Sequence, residues 1–303
     1  MNFKKYTTWG LAINLLLITS TSVAQTYKSS SWSTNFYLGG SNLLGDLGGS
    51  RFIGNRGVFD YNIRANRLAL GTGLTMNTGA FSVGLNVLGT RLVSNDAYSR
   101  QNFQVARNLN VRTNLVEVSI LGEIRPFSRS AGFNRFYVYS GIGGIYFKPM
   151  SKLNDEWYDL RQVGTEGQYL ENGPGPYSEI DIVIPYGIGY KFRLAKSTSL
   201  LLDLGFRKTF TDYLDDVSTV YADPAKLNAA QPDFPVSQLA DKSVVPNAIG
   251  YERGNPKNDD QYFIIGLKFE YILGGKSGDG CYYNRNPPKT RSTRINQRKM
   301  FTR

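Results

Sequence analysis

Histidine is absent from all 303 residues, and cysteine occurs once, as Cys281. The first absence removes Ser-His and Cys-His nucleophiles, histidine-ligated metals and histidine acid–base work together. An enzyme reading is left with carboxylate pairs or lysine, and the chain is read as a non-enzyme that needs no cofactor. The single cysteine excludes an internal disulfide framework. Long apolar runs are lacking too. After the first residues, each is broken by a charge, Gly or Asn within a few positions, so a membrane crossing would have to be made by strands.

The opening "MNFKKYTTWGLAINLLLITSTSVAQ" sets Lys4 and Lys5 before an apolar run from Leu11 to Ile18, followed by Ser22 and Ala24. This is the pattern of a secretory signal peptide cut after Ala24. The run is shorter than the roughly 20 residues a membrane helix needs. A net charge of +11 suggests nucleic acid at first sight, but it is concentrated at one end. Residues 276–303 hold eight Lys/Arg against Asp279, and without leader and tail the chain carries only about +2. The charge belongs to the tail, and an exported protein rarely meets nucleic acid.

Between the ends, period-2 alternation recurs. In "YFIIGLKFEYIL", Phe263, Ile265, Leu267, Phe269, Tyr271 and Leu273 share one face, opposite Lys268 and Glu270. "SEIDIVIPYGIGYKFRL", "SLLLDLGFRK" and "LVEVSILGEIRPF" split the same way, and "SWSTNFYLGG", "RLALGTGLTM", "AFSVGLNVLGT" and "NRFYVYSGIGGIYF" do so more faintly. That makes eight strands. A soluble β-sandwich also alternates, but runs of about 10–17 residues exceed the globular mode of roughly 5–6 and suit a membrane strand. Short connections ("NTG", "SRSAGFN", "AKST") alternate with long ones (about 42–67, 93–111, 148–177 and 211–259). This is the asymmetry of an outer-membrane barrel. The expected fold is an all-β, eight-stranded antiparallel transmembrane up-and-down barrel over residues 25–273. With an even strand count, both termini fall on the short-turn, periplasmic side.

The expected inner face carries Glu117, Glu123, Asp181, Asp203 and Glu270 with Arg125, Lys191, Arg193, Arg207 and Lys268, five charges of each sign. An eight-stranded barrel is only wide enough for side chains to fill. A balanced lumen therefore predicts a plug of ion pairs and not a pore. Inner-face glycines, Gly71, Gly73, Gly141, Gly143, Gly187 and Gly189, would relieve crowding. The fifth strand is ambiguous, since Phe136 and Val138 compete with Tyr137 and Tyr139 for the lipid face. The pairs Tyr137 with Tyr139 and Tyr186 with Tyr190 suit interfacial girdles.

Asp212, Asp215, Asp216 and Asp223 form the densest carboxylate group, in "FTDYLDDVSTVYADP". Their spacing misses the calcium-loop signature and no glycine follows, so turn and cap chemistry is the favoured reading. "GTEGQ" and "LLGDLGG" lack the spacing of a phosphate loop and read as turns. The segment after Gly274 combines Cys281, in an oxidising compartment without a partner in the chain, with Pro287, Pro288 and Arg285, Lys289, Arg291, Arg294, Arg298, Lys299 and Arg303. These residues suit docking to an acidic partner or an anionic membrane surface, with an intermolecular disulfide or a free thiol at Cys281.

The strings "YLGGSNLLGDLGG", "ARNLNVRTNLVEVSILGEI", "FNRFYVYSGIGGIYFKP", "QVGTEGQ", "FRKTFTDYLDDVST" and "YERGNPKNDDQYFIIGLKFEYIL" resemble, in order, the landmarks of the PorG-like outer-membrane family of Bacteroidetes, long catalogued as a domain of unknown function. The resemblance runs from Tyr37 to Leu273. It implies an integral outer-membrane barrel associated with the type IX secretion, and gliding, machinery, beside a periplasmic ring of the PorK and PorN type, with outer-membrane lipid around it. No catalytic residues are defined for the family. A small channel or ligand-binding barrel, and an envelope-integrity protein, stay open as alternatives.

Overall fold

Alternating side chains and tight turns close this chain on itself. The computed structural model describes residues 30–47, 63–99, 101–126 and 135–274. The leader with its cut after Ala24, most of the first long connection, all of "SRSAGFN", and the tail with Cys281, Arg285, Lys289, Arg291, Arg294, Arg298, Lys299 and Arg303 lie outside the described residues.

The strands are β1 (Ser31–Leu44), β2 (Arg67–Thr78), β3 (Phe81–Asn95), β4 (Asn110–Ile124), β5 (Phe136–Leu153), β6 (Glu156–Asp159), β7 (Ile180–Arg193), β8 (Thr198–Thr209) and β9 (Gln261–Gly274). Each pairs antiparallel with its neighbour, and β9 returns to β1, so eight strands form a closed barrel. Closure leaves no open sheet edge within the wall, which is what lets strands cross hydrocarbon. The extra strand, β6, was not expected. Asn154 (φ 48°) and Asp155 (φ 69°) are both left-handed, the backbone a two-residue hairpin turn requires. The connection after β5 therefore begins as a hairpin that stands beyond the wall.

Successive rows across the wall show the outer face. Leu85–Ile120–Ile142, Val87–Val118–Gly144 and Gly89–Val116–Tyr146 are register partners on β3, β4 and β5. Their large side chains are exposed, as are those of Phe36, Leu70, Ile182, Leu202 and Phe269 around the ring. In water such a wall would be an untenable apolar patch, and in lipid it costs nothing. Aromatic rings mark both borders. Phe206 lies 5.8 Å from Tyr186 and 6.0 Å from Phe263 towards the long loops, and Tyr190 lies 4.9 Å from Phe192 towards the short turns. The architecture is that of an eight-stranded outer-membrane barrel.

The inner face corrects one expectation. Tyr137 and Tyr139 belong to no girdle; both are buried in the lumen, and Phe136 and Val138 share the parity of the outer wall. The space comes from β7, where a Cβ on Gly189 would overlap the Tyr137 ring and one on Gly187 the Tyr139 ring.

At the long-loop end, the short helices α1 (Asn102–Arg107), α2 (Leu160–Val163), α3 (Pro224–Ala230) and α4 (Val236–Ala240) fold over the barrel mouth. Leu160, Val163, Leu214, Val217, Val236 and Leu239 pack with Leu92, Leu115, Phe147 and Tyr262 from the strands into one continuous core. The loops are an apolar stopper, and burying such side chains contributes about 1.5–3 kcal/mol each.

Candidate functional site

Among the described residues, the buried charged side chains gather in two polar assemblies, one in the lumen and one in the cap. Alternation points every second strand residue inwards, so lumen charges come from the odd positions of β4, β7 and β8 and the even positions of β9. Nearest the short turns, Lys268 Nζ lies 3.0 Å from Glu123 Oε2, and Lys191 pairs with Glu270, which also accepts Ser33 Oγ at 2.9 Å. Midway, Asp203 accepts the hydroxyls of Tyr137 and Tyr139 at 2.7 and 2.9 Å. Above it, Glu117 accepts Arg207 Nε at 3.2 Å, Tyr262 Oη at 2.9 Å and Ser119 Oγ at 2.8 Å.

Three residues expected in these pairs sit at strand ends instead. Arg125 follows β4 and donates to the carbonyl of Gly79 in the adjacent short turn. Asp181 accepts the backbone N–H of Phe210 at 2.6 Å. Arg193 donates to the carbonyls of Ala195 and Lys196. Near a barrel rim a charged side chain can reach backbone that the wall leaves unpaired, and this competes with an ion pair across the lumen.

A cavity of about 40 Å³ lies among Asn35, Tyr37, Glu117, Tyr139, Asp203 and Arg207. It has room for water. Purified protein in planar bilayers should accordingly show no resolvable single-channel steps. A reproducible open conductance would overturn the closed lumen.

The cap is built from residues that lie far apart in sequence. Arg253 is buried: its Nη1 donates to Glu166 Oε1 at 2.8 Å and to the Asp216 carbonyl at 2.5 Å, and its Nε to the Ala240 carbonyl at 3.1 Å. Glu166 accepts the N–H groups of Ser218 and Thr219 at 2.9 and 3.1 Å and Thr219 Oγ1 at 2.7 Å. Asp216, held at φ 60°, accepts Thr165 Oγ1 at 2.5 Å and Tyr177 Oη at 2.7 Å. Arg107 grips Asp96 through Nε and Nη2 at 2.8 and 2.9 Å and donates to the carbonyls of Arg253 and Asp46. Two arginines thus join all four long connections. Bidentate and multi-acceptor geometry of this kind favours Arg over Lys.

Beneath them lies an acidic group. Asp215 accepts three backbone N–H groups, from Asp46, Leu47 and Val217, at 2.9, 3.1 and 3.0 Å. Asp260 accepts Leu214 and Asp215 N–H at 2.8 and 3.3 Å, and Asp46 accepts Asn255 N–H at 2.5 Å. Gly45 lets these chains meet, since a Cβ there would lie 2.5 Å from Asp260 Oδ1 and 2.6 Å from Asp215 Oδ2. Burial pushes Asp46 and Asp216 up to about 6. Burial and then Asp46 push Asp215 to about 8, while burial and then Asp215 push Asp212 to about 9. Asp223 keeps to local work, capping α3 through the Ala225 N–H at 2.9 Å. Among the described residues, no three carboxylates are placed to hold a metal ion. This assembly can hold loops and bind protons.

Sequence reasoning singled out Asp212, Asp215 and Asp216 but missed Asp46, Asp96, Arg107, Glu166, Arg253 and Asp260. The available signal was a charged residue embedded in a glycine-containing loop string, as in "LLGD", "GTEGQ" and "YERG".

No curated protein matches the chain. Among solved structures, Neisserial surface protein A is 6% identical, with 80% of this chain and 97% of that one covered at a TM-score of 0.34. Ail, the attachment invasion locus protein of Yersinia pestis, is 10% identical, with 81% and 98% covered at 0.34. CarO2 of Acinetobacter baumannii is 9% identical, with 78% and 98% covered at 0.30. At these scores the fold rests on the strand pairing described above and not on the likeness. The model of one family matches residues 12–228, well over half of the chain, and the protein therefore belongs to the family described as Domain of unknown function (DUF6089).

Proposed function

We propose that this protein is a PorG-like, non-enzymatic component of the type IX secretion machinery, extending to gliding, that anchors a periplasmic ring of the PorK and PorN type. The reading is supported chiefly by where the chain leaves the barrel. Trp32 at the start of β1 pairs with Gly274 at the end of β9, beside the short turns. With long loops outward and short turns inward, as in outer-membrane barrels, the residues after Gly274 start in the periplasm. They are the most basic stretch of the chain and hold Cys281. A filled lumen and a stapled cap leave the barrel as an anchor, and the tail as its means of engagement. Charge complementarity would guide docking, and Cys281 could seal it by exchange with a partner disulfide or by oxidation in the periplasm.

Deleting residues 276–303 should leave a heat-modifiable, membrane-inserted barrel while reducing cargo export to near background. Normal export from that strain would sink the secretion role. On non-reducing gels of native outer membranes, wild type should show a reducible heavier band that Cys281→Ser lacks. A free thiol and a single monomer band would remove the covalent seal.

A further inference from the structure

The outer wall changes character within one row of residues. Above the last apolar row, Gly89–Val116–Tyr146, the next row reads Arg91–Asn114–Lys148, and the ones beyond it Val93–Arg112–Met150 and Asn95–Asn110. The β5–β6 hairpin extends this face outward, bringing Trp157 opposite Lys152. Strand parity points Arg91, Arg112, Lys152 and Trp157 the same way as the lipid-facing side chains below them. With a rise of about 3.4 Å per residue, the basic rows begin within about 7 Å of the apolar border. This is headgroup depth.

Between these residues lies a cleft of about 460 Å³, lined also by Arg67. The Arg112 guanidinium lies 3.6 Å from the centre of the Trp157 ring, and its buried Nε has no hydrogen-bond partner. Arg91 Nε donates to Asn114 Oδ1 at 3.0 Å. Neighbouring lysines are neutralised locally, Lys148 by Asp159 at 2.8 Å and Lys152 by Asp155 at 2.6 Å. Neither Arg91 nor Arg112 makes an ion pair with any described residue. Two arginines one row apart on neighbouring strands, one with its guanidinium over an indole ring, are a receptor for phosphate oxygens beside a sugar ring.

We infer that this cleft binds the phosphorylated sugar headgroup of an outer-leaflet glycolipid, whose acyl chains lie against the apolar rows of β3, β4 and β5. The occupant is lipid and not a soluble anion because Arg91 and Arg112, which line the cleft, stand on the same face as the exposed apolar rows of β3, β4 and β5 and directly above them. The inference rests on the outward orientation of the long loops proposed above. Labelling a Val244→Cys, Cys281→Ser variant on intact cells with a membrane-impermeant thiol reagent tests that orientation independently of lipid binding, since Val244 is almost fully exposed on the 210–260 connection and outside the cleft.

The test is native mass spectrometry of the purified full chain. Diphosphorylated lipid A, its dephosphorylated form, and inorganic pyrophosphate serve as probes. Wild type should retain diphosphorylated lipid A at least tenfold better than the dephosphorylated form, with little pyrophosphate bound. The double variant Arg91→Ala, Arg112→Ala should weaken retention roughly ten- to thirtyfold. Both side chains lie outside the lumen and the cap, so the variant keeps its barrel, which heat-modifiability on gels verifies. Arg112→Lys keeps the charge but loses the planar stack and should recover only part of the affinity. Equal retention of both lipid forms, no loss in the double variant, or pyrophosphate binding as tight as lipid A would each overturn the inference.

Discussion

Arg253→Met should open the cap while leaving the barrel in the membrane. The guanidinium is the shared donor to Glu166, the Asp216 carbonyl and the Ala240 carbonyl, and methionine supplies none of these bonds. Its removal strands Glu166 and Asp216 in a site they cannot leave without loop movement. Breaking one partner of a buried pair costs about 3–5 kcal/mol, because the remaining charge is uncompensated. The strands keep their ladders and their lipid-facing rows, so the loss is confined to the 154–179 and 210–260 connections. Protease digestion of the protein in liposomes reads this directly, since cleavage follows the population of opened loops. Cleavage within those connections should accelerate by about a hundredfold or more, with the heat-modifiable barrel unchanged on gels. Arg253→Lys should give nearly the same result, because one ammonium cannot span three acceptors placed for a planar fork. Loops as resistant as wild type would show that the apolar stopper alone holds the cap.

The barrel was legible in the sequence because lipid imposes its demand one residue in two. Ile180, Ile182, Ile184, Tyr186 and Ile188 carry that period without interruption, and the eight expected strands are the eight that form the wall. On β5 the period was present but its phase was not, since both faces carry aromatic or branched residues. The phase is fixed by Asp203 on β8, two strands away, which needs both tyrosine hydroxyls, and by glycines on the intervening β7. The lumen charges were legible as a set and not as pairs. Glu117 meets Arg207 across 90 residues of chain, whereas Arg125, at a strand end, finds the Gly79 carbonyl. The cap was least legible. The turn bond from Val217 N–H to Asp215 is local and follows from residue type, but those from Asp46 and Leu47 cross 169 and 168 residues of chain. A string such as "TDYLDDVST" shows acids without showing what donates to them.

The same acids give the cap a pH dependence, and its sign follows from Asp212. This carboxyl is buried with no hydrogen-bond donor on either oxygen, while Asp215 beside it accepts three backbone N–H groups and is the better place for a charge. Asp215, Asp46, Glu166 and Asp260 all act on it, and Arg107 and Arg253 are both committed elsewhere. Burial, and then Asp215, push Asp212 from 3.8 to about 9, so the closed cap binds a proton that the open loop releases. A group whose folded value is raised stabilises fully below its unfolded value, and that stability is lost as pH rises through the folded value. Protection of the 211–219 amides in hydrogen exchange, corrected for intrinsic rates, should therefore fall between pH 5 and pH 9. Asp212→Asn mimics the protonated acid and removes the titration. It should make the profile shallower, with Asp46, Asp215 and Asp216 still titrating, and protect the loop at pH 8 by on the order of 2 kcal/mol, the scale of an unsatisfied buried polar group. Asp215→Asn should do the reverse, since an amide in place of that carboxylate sets an N–H against backbone donors. Protection that rises with pH, or an Asp212→Asn profile that matches wild type, would mean the proton resides elsewhere in the cluster.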